Sequence, residues 1–125
     1  MKNINTMVVC SEEDASKLRS EINKISTEIV IKYSIDNYKD ALKVINDNST
    51  QLDAIIVDGT LKNQNILYFL THYDNELMLS RTVVLDNIKL DCYNLSATNY
   101  QLFNVIPKNY KPQELVYSLK EIKNK

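Results

Sequence analysis

Leu52-Asp53-Ala54-Ile55-Ile56-Val57-Asp58-Gly59-Thr60-Leu61 is the run on which the reading of this chain turns. Ala54 to Val57 is unbroken apolar sequence with two Ile and one Val. A short, β-branched stretch with no polar face predicts a central strand of a parallel sheet covered on both sides by helices. It stops at a carboxylate, Asp58, followed by the only glycine of the chain. In open parallel sheets, ligands and chemistry gather outside the carboxyl ends of the strands, and Asp58 stands at that edge.

Outward from this run the chain alternates strand and helix patterns. Upstream, Met7-Val8-Val9-Cys10 predicts a first strand. Ser11 can cap the following helix, with Glu12, Glu13 and Asp14 favoured at its positive end. Ala15, Leu18, Ile22 and Ile25 form its apolar stripe. Thr27 to Ile31 predicts a second strand, led out by Tyr33-Ser34-Ile35, and Asp36-Asn37 can cap a helix with the stripe Tyr38, Ala41, Leu42 and Ile45. Downstream, Ile66, Leu67, Phe69, Leu70 and Tyr73 mark a third helix, and Arg81 to Leu85 a fourth strand that again ends in a carboxylate, Asp86. Asn87 to Leu95 is weakly helical, with Ile88, Cys92 and Leu95 on one face. Leu102 to Ile106 predicts a fifth strand, closed by Pro107 and Lys108. Pro112 opens a final helix at its first turn, with the stripe Leu115, Leu119 and Ile122. The expected architecture is α/β: one domain over residues 1–125, a doubly wound five-stranded parallel sheet with helices on both faces.

Composition narrows the function. Apolar residues make up 44% and charged residues 25% of 125, the balance of an ordinary globular domain. A net charge of −1 points to neither a nucleic-acid nor a membrane surface. The N-terminus lacks the apolar core of a signal peptide. Cys10 and Cys92 are too far apart for a metal knuckle and read as free thiols of a reducing cytoplasm. One glycine in the chain excludes a glycine-rich phosphate loop and disfavours a flavin- or nucleotide-binding protein of this layout. His72 has no second ligand near it in sequence and reads as a surface residue.

Over its whole length the chain resembles the receiver domain of two-component response regulators. Asn37-Tyr38-Lys39-Asp40-Ala41-Leu42 is similar to the start of the family's second helix. Leu52 to Asp58 resembles the third strand and its phospho-acceptor aspartate. Lys108, followed by Tyr110-Lys111-Pro112-Gln113-Glu114-Leu115, resembles the family's lysine after strand five and the start of helix five. The resemblance implies a flavodoxin-like layout, a role in signal transduction and no enzymatic activity of its own.

The departures from that pattern bear on the chemistry. Two acidic residues end the family's first strand and hold magnesium with the acceptor. Cys10 and Ser11 stand there, judged from where Ala15, Leu18 and Ile22 fall, and Glu12 does so only if the register slips by one. The switch hydroxyl after strand four becomes Asp86, or Asn87 if that strand runs one residue longer. The aromatic switch of strand five becomes Val105. Magnesium wants hard oxygen ligands, which a thiol does not supply. Two unit charges about 4 Å apart cost on the order of 1–4 kcal/mol at surface-like dielectrics, so Asp86 would repel a phosphoryl group.

The expectation is an atypical receiver without a metal, in which Lys108 bridges Asp58 and Asp86 as a permanent ion pair. It would act as a phosphorylation-independent regulatory or dimerisation module, pairing with a second copy or another protein through its final helix, with Val105, Val116 and Tyr117 on the output face. The alternative is a working receiver that takes a phosphoryl group on Asp58 from a histidine kinase, with Mg²⁺ bound.

Overall fold

Strand β3, Ala54–Asp58, is buried at every residue. It lies between β1 (Ile4–Val9) and β4 (Thr82–Leu85), with β2 (Ile29–Ile35) and β5 (Asn104–Ile106) at the outer edges. All neighbouring pairs are parallel, in the order β2-β1-β3-β4-β5. The computed structural model describes residues 3–48, 51–61, 64–86 and 103–123. Helices α1 (Glu12–Asn23), α2 (Tyr38–Asp47), α3 (Ile66–Thr71) and α4 (Pro112–Lys123) complete the described elements, with a 3-10 segment at Glu76–Arg81.

Side chains alternate along the inner strands and divide the core into two layers. Val8, Ala54, Ile56, Val83 and Leu85 pack with Ala15, Leu18 and Ile22 of α1 and Leu115, Leu119 and Ile122 of α4. Met7, Val9, Ile55, Val57 and Val84 pack with Tyr38, Ala41 and Ile45 of α2 and Phe69 and Leu70 of α3. The doubly wound parallel sheet expected from the run of apolar strands is the one observed.

The first two strands differ in extent from the sequence expectation. β1 starts at Ile4 because Asn5 and Asp53 clamp its polar beginning to the chain before β3. The Asn5 N–H donates to Asp53 Oδ2 at 2.9 Å, and the Asp53 N–H to the Asn5 carbonyl at 2.8 Å. β2 starts two residues later than expected and continues through Lys32 and Ser34 to Ile35. As an edge strand it exposes alternate residues, so its polar positions hid its length.

Helix α1 ends at Asn23, and Ile25, expected on its stripe, lies beyond the end and is 39% exposed. Val116, expected with Tyr117 in an exposed patch, is instead buried with Leu115 and Leu119. The final helix touches both α1 and the sheet, so its apolar face is wider than one narrow stripe. Tyr117 remains exposed. The segment 87–95, including Asn87 and Cys92, lies outside the described residues, as does Leu102.

Tyr73 follows α3 and buries its ring edge-on against Phe69, centroids 5.3 Å apart. Its hydroxyl lies 3.0 Å from Thr82 Oγ1, and the Thr82 hydroxyl donates to the Met78 carbonyl at 2.8 Å. With the threonine proton so used, Tyr73 is the donor of the first bond. This chain fastens the 3-10 segment and the start of β4 to the α3 layer. Tyr73→Phe is expected to lower unfolding free energy by about 0.5–1.5 kcal/mol, the net worth of one hydrogen bond. Urea denaturation of both proteins, read as a midpoint shift at constant m-value, checks this.

Candidate functional site

Strand order reverses between β1 and β3, since the chain builds β2 on one side of β1 and β3 on the other. The carboxyl ends of these two strands therefore flank the switch point of the sheet, where such folds place their sites. The parallel register pairs Val9 with Val57, so Cys10 and Asp58 are next-door neighbours as the strands end.

Asp58 is held from two turns. In the turn that follows it, the Thr60 backbone N–H and hydroxyl both donate to Asp58 Oδ1, each at 2.8 Å. A short carboxylate side chain accepting the N–H two residues on is the usual Asx-turn arrangement. From the other side comes Lys108, in the turn where the Tyr110 N–H donates to the Pro107 carbonyl. Its Nζ lies 2.9 Å from Asp58 Oδ1 and also donates to Thr60 Oγ1. One carboxylate oxygen thus receives three donors. Burial by itself would raise the pKa of Asp58, but Lys108 and the two Thr60 bonds outweigh it and hold the carboxyl below its ordinary value.

A third restraint acts on the backbone of the same residue. The Tyr38 hydroxyl donates to the Asp58 carbonyl, and the Tyr38 N–H donates to Gln64 Oε1 at 2.6 Å. The ring packs on Phe69, centroids 5.1 Å apart. Burial, foremost, raises the Tyr38 pKa and keeps the hydroxyl a donor.

The residues expected around Asp58 do not all reach it. Cys10 does. It is buried, and burial first, then the negative charges of Asp14 and Asp58, push its thiol up to about 12, so it stands beside Asp58 as a neutral group. Ser11 is spent on capping α1, its Oγ accepting the Asp14 N–H at 3.2 Å. Glu12 lines a neighbouring hollow with Cys10, Ser34, Asp36 and Asp40. Asp86 is buried at the β4 end of the edge, where its N–H donates to the Ile106 carbonyl at 2.9 Å. Asn87 lies outside the described residues. Val105 is half-buried against the α2–α3 layer. Thr60, Asp14, Lys17 and Tyr110 were not singled out from sequence. The Asp-Gly-Thr order could have signalled Thr60; the others are distant in sequence from Asp58.

Receiver domains are associated with magnesium, and the donors beside Asp58 do not suit that ion. Cys10 offers a neutral thiol and Ser11 is engaged in the cap, so of the three only Asp58 brings a charged oxygen. Magnesium requires near-octahedral oxygen ligation. Among the described residues no three of His, Cys, Asp and Glu gather as a metal-holding group. Also among them, no helix is long and apolar enough to cross a membrane.

No family model matches the sequence, and no curated protein matches it. Solved structures do match its fold. The response regulatory domain of MrkE from Klebsiella pneumoniae is 20% identical, covering 96% of this chain and 95% of that one, with a TM-score of 0.67. The receiver domain of the Francisella response regulator 1452 is 14% identical over 98% of each chain, with a TM-score of 0.72. The response regulator domain of Thermotoga maritima CheB is 15% identical over 99% of this chain and 98% of that one, with a TM-score of 0.70. The chain has the receiver-domain fold.

Removing Lys108 leaves a carboxylate that is 11% exposed without its cation, whereas Asp58→Asn keeps an acceptor for Thr60 and Lys108. Lys108→Ala is therefore expected to destabilise the domain by about 1–3 kcal/mol, more than Asp58→Asn does. The pH dependence has a definite sign. Asp58 titrates below its ordinary 3.8 in the fold, so its contribution is complete above that value and is lost as pH falls through the lowered one. Lys108→Ala lifts the folded pKa and shrinks that acid-side loss. Thermal melts of the two variants and the parent, from neutral pH down to pH 3, check both points.

Proposed function

We propose that the chain is a receiver domain of a two-component response regulator that works in signal transduction without phosphorylation, as a regulatory and dimerising module of the cytoplasm. The observation that carries this reading is the saturation of Asp58 Oδ1 by Lys108 and Thr60, beside a neutral thiol in place of a metal-binding carboxylate. Phosphoryl transfer to an aspartate needs an oxygen that can attack in line, and cations to neutralise charge on the phosphoryl oxygens. Here one of the two carboxylate oxygens, Oδ1, already accepts three hydrogen bonds. Lys108 would have to leave its carboxylate partner to serve a phosphoryl group, with buried Asp86 adding repulsion at the same edge.

A second reading has one observation in its favour. The pairing of Asp58 with Lys108 is the pairing a phospho-acceptor receiver would also have, with a histidine kinase as donor and Mg²⁺ as cofactor. The two readings part on modification.

For output, the exposed Tyr117 on α4 would meet a second copy or a protein partner, with the buried Val116 beneath that face, whereas Val105 lies against the other core layer. A homodimer through it would be isologous, each Tyr117 region facing its counterpart.

The test is incubation with acetyl phosphate and Mg²⁺, followed by intact mass and sedimentation equilibrium. The expected result is no added phosphoryl mass and a monomer–dimer equilibrium that the donor leaves unchanged and Tyr117→Ala shifts to monomer. A phosphoryl adduct on Asp58, or dimerisation only with the donor, would establish the second reading instead.

A further inference from the structure

A cleft of about 240 Å³ opens over Asp58, between α1 and the turn that joins β5 to α4. Its walls have three characters. Cys10 lies at its floor as a buried neutral group, and Leu18 and the half-buried ring of Tyr110 supply apolar surface. Asp58 and Lys108 line it as a pair whose charges answer each other. Asp14 and Lys17 line it as well, three residues apart on one face of α1. Neither of these last two has an ion-pair partner among the described residues, nor are they paired with each other.

Size and charge together restrict what such a cleft can take. Ligand sites for drug-sized molecules run to about 300–1,000 Å³, and water occupies about 30 Å³ in the liquid, so this space suits a metabolite displacing about eight waters. A simple anion would find Lys17 but face Asp14 and Asp58. A simple cation would find Asp14 but face Lys17 and Lys108. A molecule with both charges close together, and a short apolar tail, satisfies every wall.

We propose that this cleft is an input site for a small zwitterion, an amino acid with an aliphatic side chain, its ammonium on Asp14, its carboxylate on Lys17 and its side chain against Leu18 and Tyr110. The inference rests on the reading that Asp58 is not phosphorylated, and it gives that reading a signal. The occupant would touch α1 and the turn that leads directly into α4. That turn is already fastened to α1 by the Tyr110 hydroxyl, which donates to Glu21 Oε1 at 3.3 Å. A ligand seated between the same two elements adds a second fastening and acts on the α4 face without any change at Asp58.

The experiment is an NMR titration of the ¹⁵N-labelled full chain with L-leucine as probe, with isovalerate and isoamylamine as single-charge controls. Leucine should give saturable shifts in the millimolar range at Cys10, Asp14, Lys17 and Tyr110. Asp14→Asn and Lys17→Gln alter exposed side chains of α1 and should each weaken binding by about tenfold or more, the worth of one charge-assisted contact. Each control should be weaker than leucine by a similar factor. Absence of saturable leucine shifts, equal affinity in both variants, or isovalerate binding as well as leucine would overturn the zwitterion site. A parallel titration with beryllofluoride and Mg²⁺ separates the two claims: shifts centred on Asp58 overturn the phosphorylation-independent reading, whereas their absence alongside a failed leucine titration overturns the ligand alone.

Discussion

A carboxylate at the end of a strand with both faces covered must be compensated where it stands, and the carboxyl edge of this sheet is arranged around that demand. β3 is buried from its first residue to its last, so Asp58 emerges from the core with little access to water. Burying a charge without partners costs several kcal/mol, and removing one partner of a buried pair leaves the full penalty behind. One partner is local in the chain and the other is distant. Thr60 is supplied by the turn that Asp58 itself begins, and Lys108 by the turn after β5, on the far side of β4. The strand order brings the two turns together, so the ion pair can form only when the sheet is complete.

The electrostatics of the edge depend as much on what stands beside Asp58 as on what touches it. Two carboxylates at the end of β1 would add negative charge that a metal must balance. Cys10 is instead a small, buried, neutral group, which is how free cysteines ordinarily behave in a core. With a neutral neighbour, Lys108 and the two Thr60 hydrogen bonds outweigh burial and hold the Asp58 carboxyl below its ordinary value. Lys108 is the counter-ion, its Nζ 2.9 Å from Asp58 Oδ1.

The parts of this arrangement legible in the sequence were those whose signal is local. β3 announced itself because both its faces are apolar. The stripes of α1, α2 and α4 were readable at helical spacing, and the caps Ser11 and Asn37 stood where capping chemistry puts them. The edge strand β2 was read short because its wet positions carry Lys32 and Ser34. Val116 was misplaced because α4 packs against two elements at once, which widens a stripe in a way that one-dimensional spacing does not reveal. Lys108 was legible through resemblance. Thr60, Tyr38 and Tyr110 around the same site were not, since each acquires its role from a contact that only the folded turns create.

Asp58 is also the residue at which the two core layers meet. Its side chain is tied through Lys108 to the turn leading into α4, on the α1–α4 side. Its backbone carbonyl is tied through the Tyr38 hydroxyl to the start of α2, on the α2–α3 side. A bond made or broken at the carboxylate is therefore felt directly by the first layer and, through the peptide it belongs to, by the second. In a receiver that switches by modification, such a junction is where a new charge would be introduced. In this chain Asp58 Oδ1 and the Asp58 carbonyl already have partners in both layers, so the junction behaves as a rivet. A rivet transmits a displacement between layers without originating one. If Asp58 is not modified, as proposed, a signal to α4 would enter beside it, through the elements that Lys108 and Tyr110 connect.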